Sequence, residues 1–348
     1  MFKKRISQYH QTIVFIIFLA LMNGNAQSID IKNITINRIN MINKNFAYTA
    51  LCFFLVTIML QAQQTQASLE TLLNERAQPA PEKVFKQFRD AGMKPVNHEL
   101  TKTEKEKISK AISILPPLHQ KVLKEHLHSI SFMDNMPNTA LTSLIENSGS
   151  RKKTFNITFR AEILNETISK WATWKENTCY SRSENNDYQV VIEAGEMDAI
   201  VYVLLHEATH VVDMVLNITP PMDDTKHVRE AQTPFTVGIW YNFKEPLGDA
   251  TNSLLETTRF RSGEVLPISS APDVYKALQE TPFPSLYSMA SWHEDLAEIL
   301  TIYHLTQKMG QPFKICAKQN NIDIIIYEPF NNSKVVKRQN NLAMFYES

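Results

Sequence analysis

The chain has 348 residues, of which 43% are hydrophobic and 8 are glycine, so it holds ample material for a core and little for a fibrous or low-complexity architecture. Lys+Arg and Asp+Glu total 36 each, a balance that excludes a global field drawing the protein to nucleic acid or to an anionic membrane.

The N-terminus reads as a leader, twice over. Lys3, Lys4 and Arg5 precede an apolar run over residues 13–22, and a second apolar run over 47–60 follows Met41 and Lys44. Both runs fall short of the about 20 residues that span a bilayer, which favours signal peptides over membrane helices. Two accounts fit. Met41 is the true start, or the first run is the signal and the second a leftover apolar segment able to anchor the protein. On either account the chain is expected to be exported, secreted or periplasmic, and taking residues 1–63 as the targeting region leaves no membrane span in the mature chain. It keeps two cysteines, Cys179 and Cys316, whose separation in sequence leaves their pairing open.

Residues 64–150 carry helical spacing. Leu69, Leu72 and Leu73 come first, then Val84, Phe85 and Phe88 ahead of Gly92. Thr101 and Glu104 have capping-box spacing before Ile108, Ile112 and Leu115, and the period resumes over 122–127 after Pro116 and Pro117. Loop composition over 147–153 marks the boundary to a second region, 151–348. There, 155–164 and Tyr188–Glu193 read as strands and 290–308 as a helix. Residues 222–288 are aromatic, proline-dotted and irregular, as loops shaping a cleft are. Short strands at 313–317 and 323–327 and a helix after Asn332 close the chain. The fold class expected is α+β, mainly helical, with a small sheet beside the helix described next.

That helix covers 197–216 and is apolar almost all round, which places it in a core. It nevertheless carries His206, Glu207 and His210 in the pattern His-Glu-x-x-His. At about 100° per residue, side chains four apart lie one turn above one another, so both imidazoles can reach one metal ion while Glu207 stands beside it as a base. Neutral nitrogen ligands, an open position and a base are what a zinc hydrolase needs. Unpaired polar groups are costly in a buried helix, so chance is the weaker account. Asp213, three residues past His210, reads either as an acceptor for a ligand imidazole N–H or as a plain surface aspartate. His126, His128, His227 and His304 have no partner pattern and read as structural.

A catalytic zinc site takes a third protein ligand. Asp213 and Leu216 stand where a metzincin has Gly and His, so that family is excluded. The 290–308 helix instead offers Glu294 and Glu298, four apart on one face, in a Glu-x-x-Ala-Glu pattern. With the first motif, this pattern resembles the gluzincins, and the lethal-factor-like branch in particular, over roughly residues 188–308. The resemblance implies Glu294 as the third zinc ligand and Tyr287 beside the metal. Leu296 replaces a common aromatic, and His293 departs from thermolysin-like sequences and is a rival ligand. If Glu294 is the ligand, Glu298 can accept a hydrogen bond from a ligand imidazole.

The function expected is therefore an exported zinc metallopeptidase acting on a peptide or protein, with Glu207 as general base and Tyr287 assisting. A hydrolase of a non-peptide amide and a non-catalytic binding protein on the same scaffold are the alternatives.

Overall fold

A computed structural model describes residues 75–145, 152–182, 187–221 and 232–347. Both leader-like runs, the Leu69 stretch, most of the 147–153 loop and His227 lie outside the described residues.

The N-terminal helices form as their spacing predicts. Helix α1 (Glu82–Asp90) buries Val84, Phe85 and Phe88, and Gly92 closes it at φ +81°. After strand β1 (Val96–Asn97), helix α2 (Lys102–Ser113) opens on a complete capping box. Thr101 Oγ1 accepts from Glu104 N at 3.3 Å, and Thr101 N donates to Glu104 Oε2 at 2.8 Å. Helix α3 (Pro117–His126) follows with proline at its start, where a missing N–H costs nothing.

The chain then departs from the helical expectation for 64–150, entering strands β2 (Leu127–Asp134) and β3 (Ala140–Ile145). With β4 (Thr154–Arg160) they make a four-stranded sheet in the order β1-β2-β4-β3. β2 and β4 are parallel, and β3 turns back antiparallel to β4, pairing Ile145 with Thr154 across the expected boundary at 147–153. The two expected regions thus share one sheet, and one core cluster runs from Ile108 to Phe345. Phe155, Ile157 and Phe159 of the central strand are fully buried, each contributing roughly 1.5–3 kcal/mol by leaving water.

Helix α4 (Ile168–Asn177) and the short strand β5 (Tyr180–Ser181) lead to β6 (Tyr188–Glu193) and then to the long apolar helix α5 (Ala199–Leu216). α5 is long and apolar enough to cross a membrane by length and composition, yet it is mostly buried inside the protein. It ends at Asn217, a left-handed residue at φ 52° whose N–H closes on Asp213 O.

Past Pro221 come the short helices α6 (Ser253–Glu256) and α7 (Arg259–Ser262), strand β7 (Leu266–Pro267) beside β5, and helix α8 (Ala271–Gln279). α8 lies within the stretch expected to be irregular. Ala271, Val274, Tyr275 and Leu278 are buried at helical spacing, and Pro272 sits in its first turn. Helix α9 (Trp292–Tyr303) continues through one π-helical turn, His304–Lys308. Strands β8 (Lys314–Gln319) and β9 (Ile322–Tyr327) and the short helix α10 (Ser333–Val336) complete the α+β fold.

The small sheet expected beside helix α5 is the four-stranded one. β6 precedes α5 in sequence but belongs to a separate antiparallel sheet, β6-β8-β9, and packs on α4. The strand lying against α5 at Glu207 is β3, the outer strand of the four-stranded sheet.

Candidate metal centre and cleft

α5 and α9 cross so that the motif histidines meet the first turn of α9. Ser291 caps that turn, its Oγ accepting from Glu294 N at 3.3 Å. Ser-x-x-Glu is also capping-box spacing, which would send the Glu294 carboxylate back to Ser291. Instead it turns to α5. Glu294 Oε2 lies 3.0 Å from His206 Nε2 and 3.4 Å from His210 Nε2, and the two Nε2 atoms are 3.2 Å apart.

This triangle can be tested against a metal. Tetrahedral zinc with bonds of about 2.0–2.1 Å sets its ligand atoms about 3.3–3.4 Å apart. The observed edges are close to that, and two imidazoles with one carboxylate are a donor set zinc takes. Three lone-pair atoms facing each other at these distances also call for positive charge. In the protein alone protons supply it. Burial pulls His206 down, but the bonds and charges of Glu294 and Glu298 outweigh it and leave the imidazole at about 9. His210 is raised too, Glu294 overcoming its burial. Burial pushes the Glu294 carboxyl up, and the two histidines hold it well below the ordinary range.

Glu298, one turn along α9, stands behind His206. Its Oε1 is 3.1 Å from His206 Nδ1, although that nitrogen makes no well-aligned hydrogen bond. The same oxygen accepts from Tyr202 O–H at 3.0 Å and lies 3.5 Å from Lys175 Nζ, while Oε2 accepts from Ser285 O–H at 2.6 Å. Burial opposes ionisation there, but Lys175, His206 and Ser285 bring the carboxyl down to about 2.

Two expected roles change. Asp213 does not turn to a ligand imidazole. It accepts from Thr219 N at 2.7 Å and Thr219 O–H at 2.6 Å, and from His293 Nδ1 at 2.6 Å, tying the end of α5 to the chain that leaves it. His293 is therefore no ligand rival. About 100° round α9 from Glu294, its Nδ1 points to Asp213 and Thr219 instead of the triangle.

Glu207 lies beside the triangle on the floor of a cleft. Two hollows of about 420 and 480 Å³ open on either side of it and share Asn138, Ala140, Glu207 and Tyr287. The first is walled by Trp171, Trp174, Lys175, Arg259 and Phe260, the second by Leu141, Met214, Pro221, Phe243 and His293. Tyr287 stacks on His206 with ring centroids 5.7 Å apart, and Lys175 Nζ lies 3.8 Å from its ring centroid. Burial, with the charges of Glu294 and Glu207, holds the phenol far above its ordinary range, so it stays a donor.

Cys179 and Cys316 are both free and buried. His126 Nδ1 bonds Lys153 O at 2.7 Å and His304 Nε2 bonds Ile114 O at 2.8 Å, as structural histidines do. The sequence reading missed Thr142, Lys175, Ser285 and Tyr202 around the centre. Only Tyr202 carried a signal, since it precedes His206 by four residues on the same helix face. No family model, curated protein or solved structure matches this chain.

Proposed function

We propose that this chain is an exported zinc-dependent peptidase of the gluzincin kind. The observation that carries the reading is the convergence of His206 Nε2, His210 Nε2 and Glu294 Oε2 at 3.0–3.4 Å, with Glu207 directly beside them. A zinc ion bound there supplies a Lewis acid and a water acidified toward neutral pH. Glu207 takes the proton of the attacking water and returns it to the leaving amine. Tyr287 offers its O–H to the scissile carbonyl oxygen as negative charge builds on it. Glu298, itself held by Tyr202 O–H, stands behind His206 with its Oε1 3.1 Å from Nδ1.

The outer edge of β3 supports a peptide as substrate. Among the described residues β3 is an edge strand of its sheet, Asn138 and Ala140 line both hollows and Leu141 and Thr142 the second, and an extended backbone adds to such an edge by main-chain hydrogen bonds.

The test combines metal analysis with cleavage of a peptide library by the full chain and by Glu207→Gln. Stoichiometric zinc in both, with turnover lower in the variant by about 10²–10⁴-fold, is expected. A protein that neither contains nor takes up zinc overturns the reading. Zinc with hydrolysis of small amides alone replaces peptidase by amidase, and zinc with no turnover leaves a binding protein.

A further inference from the structure

The base itself is held by a residue outside every motif. Thr142 sits in the middle of β3, opposite Ile157 of β4, and this register turns its side chain, with those of Ala140 and Leu144, to the face that carries Phe155, Ile157 and Phe159. That face meets α5. Thr142 Oγ1 lies 2.6 Å from Glu207 Oε2, against 3.4 Å from the Glu207 carbonyl oxygen. An ionised carboxylate only accepts, so the hydroxyl donates, and 2.6 Å is the length of a charge-assisted O–H···O⁻ bond.

We propose that Thr142 is a positioning residue, whose hydroxyl, offered from the substrate-docking edge strand, fixes the Glu207 carboxylate for proton transfer. The inference rests on reading Glu207 as the base. A glutamate has three rotatable side-chain bonds, and a base acts only within hydrogen-bond reach of its proton. With Oε2 taken by Thr142, the other oxygen is the one left for the cleft that Glu207 lines. Thr142 suits the task because a β-branched side chain is stiff at χ1 and its backbone is tied to β4 at Ile157. A peptide that pairs with the outer edge of β3 lies along the strand that orients the base. Binding and base geometry are thereby linked through one residue.

The same bond could simply dock β3 on α5, and three variants separate the two roles. Thr142→Val keeps the shape and removes the donor, while Thr142→Ser keeps the donor. Positioning predicts that Thr142→Val holds its zinc and its KM and loses about 10–100-fold in kcat, the usual cost of an orienting partner, and that Thr142→Ser recovers most of it. A docking role predicts a lower melting temperature with kcat unchanged, and that result removes Thr142 from the mechanism. Melting of the metal-free protein is a second readout. The Tm drop caused by Thr142→Val should nearly vanish in a Glu207→Ala background, and an equal drop in both backgrounds refutes the pairing. The parent chain is assayed alongside. If it shows no zinc-dependent cleavage, the peptidase reading falls and this inference with it. If it cleaves and Thr142→Val matches its kcat, only the inference falls.

Discussion

Glu294 and Asp295 are neighbours on one helix, and their surroundings are opposites. Asp295 is completely buried, and its partners lie within the chain, although burial outweighs them and still raises its carboxyl above the ordinary value. Arg338 grips both oxygens, Nη1 to Oδ1 at 2.9 Å and Nη2 to Oδ2 at 2.5 Å, and Trp240 Nε1 donates at 2.8 Å. Among these polar groups Arg338 Nε alone lacks a partner among the described residues. Glu294 faces two imidazole nitrogens of α5, His206 Nε2 at 3.0 Å and His210 Nε2 at 3.4 Å, and in the protein alone protons on those imidazoles answer its charge. A buried carboxylate is thus no sign of a site by itself. What separates the two is the partner: a guanidinium that keeps its charge at Asp295, and imidazoles that can exchange their protons for a metal ion at Glu294.

The sharpest way to break this comparison is to remove one atom of the open cluster. Glu294→Ala or His206→Ala is expected to abolish stoichiometric zinc binding while the chain still folds, as read by metal analysis and circular dichroism. Unchanged zinc content would return the ligand role to another residue. The converse change, Asp295→Ala, strands the Arg338 guanidinium in the interior and should cost about 3–5 kcal/mol in urea unfolding. If the protein folds at low temperature, its zinc content is expected to match the parent's. A loss of zinc without loss of stability would mean that the two neighbours are not distinct.

Tyr287→Phe sharpens the open side. It keeps the ring on His206 and deletes only the donor, so folding, zinc and KM should hold while kcat falls by about 10²–10³. Full activity would make Tyr287 a packing residue.

The smallest effect comes from an intermediate case, Glu176. It is buried and accepts from Tyr275 O–H at 2.7 Å, and burial still pushes its carboxyl up to about 7. A folded pKa above the unfolded value of 4.5 means that the folded state holds the proton more tightly. This contribution to stability is complete below pH 4.5 and disappears as the pH rises through about 7. Glu176→Gln should therefore flatten that part of the Tm-against-pH curve. An unchanged slope would show that Glu176 does not titrate in this window.

Much of the centre was legible because helices advertise themselves. The apolar period of α5, the four-residue spacing of His206 and His210 and the Thr101 capping box are local patterns, and all appear in the structure as read. Helix α8 had the same period at Ala271, Val274, Tyr275 and Leu278, but Pro272 and the aromatic surroundings made it look like loop, although proline is at home in a first turn. β3 left no such trace. Ala140, Leu141, Thr142, Ser143, Leu144 and Ile145 do not alternate, because an edge strand half-exposed on both faces has no period of two to show.

By itself the sequence determined that a buried helix would carry two imidazoles one turn apart with a carboxylate between them, since that follows from the pitch of a helix and the apolar residues around it. Only the tertiary structure decided which carboxylate of α9 meets them, why Asp213 serves Thr219 and His293, and that Thr142 holds Glu207. Apart from Asp213 and Thr219, six positions apart, those outcomes join residues 65 to 88 positions apart. They depend on where two elements cross and how each is rotated about its axis, and 100° of rotation separates a ligand from its neighbour.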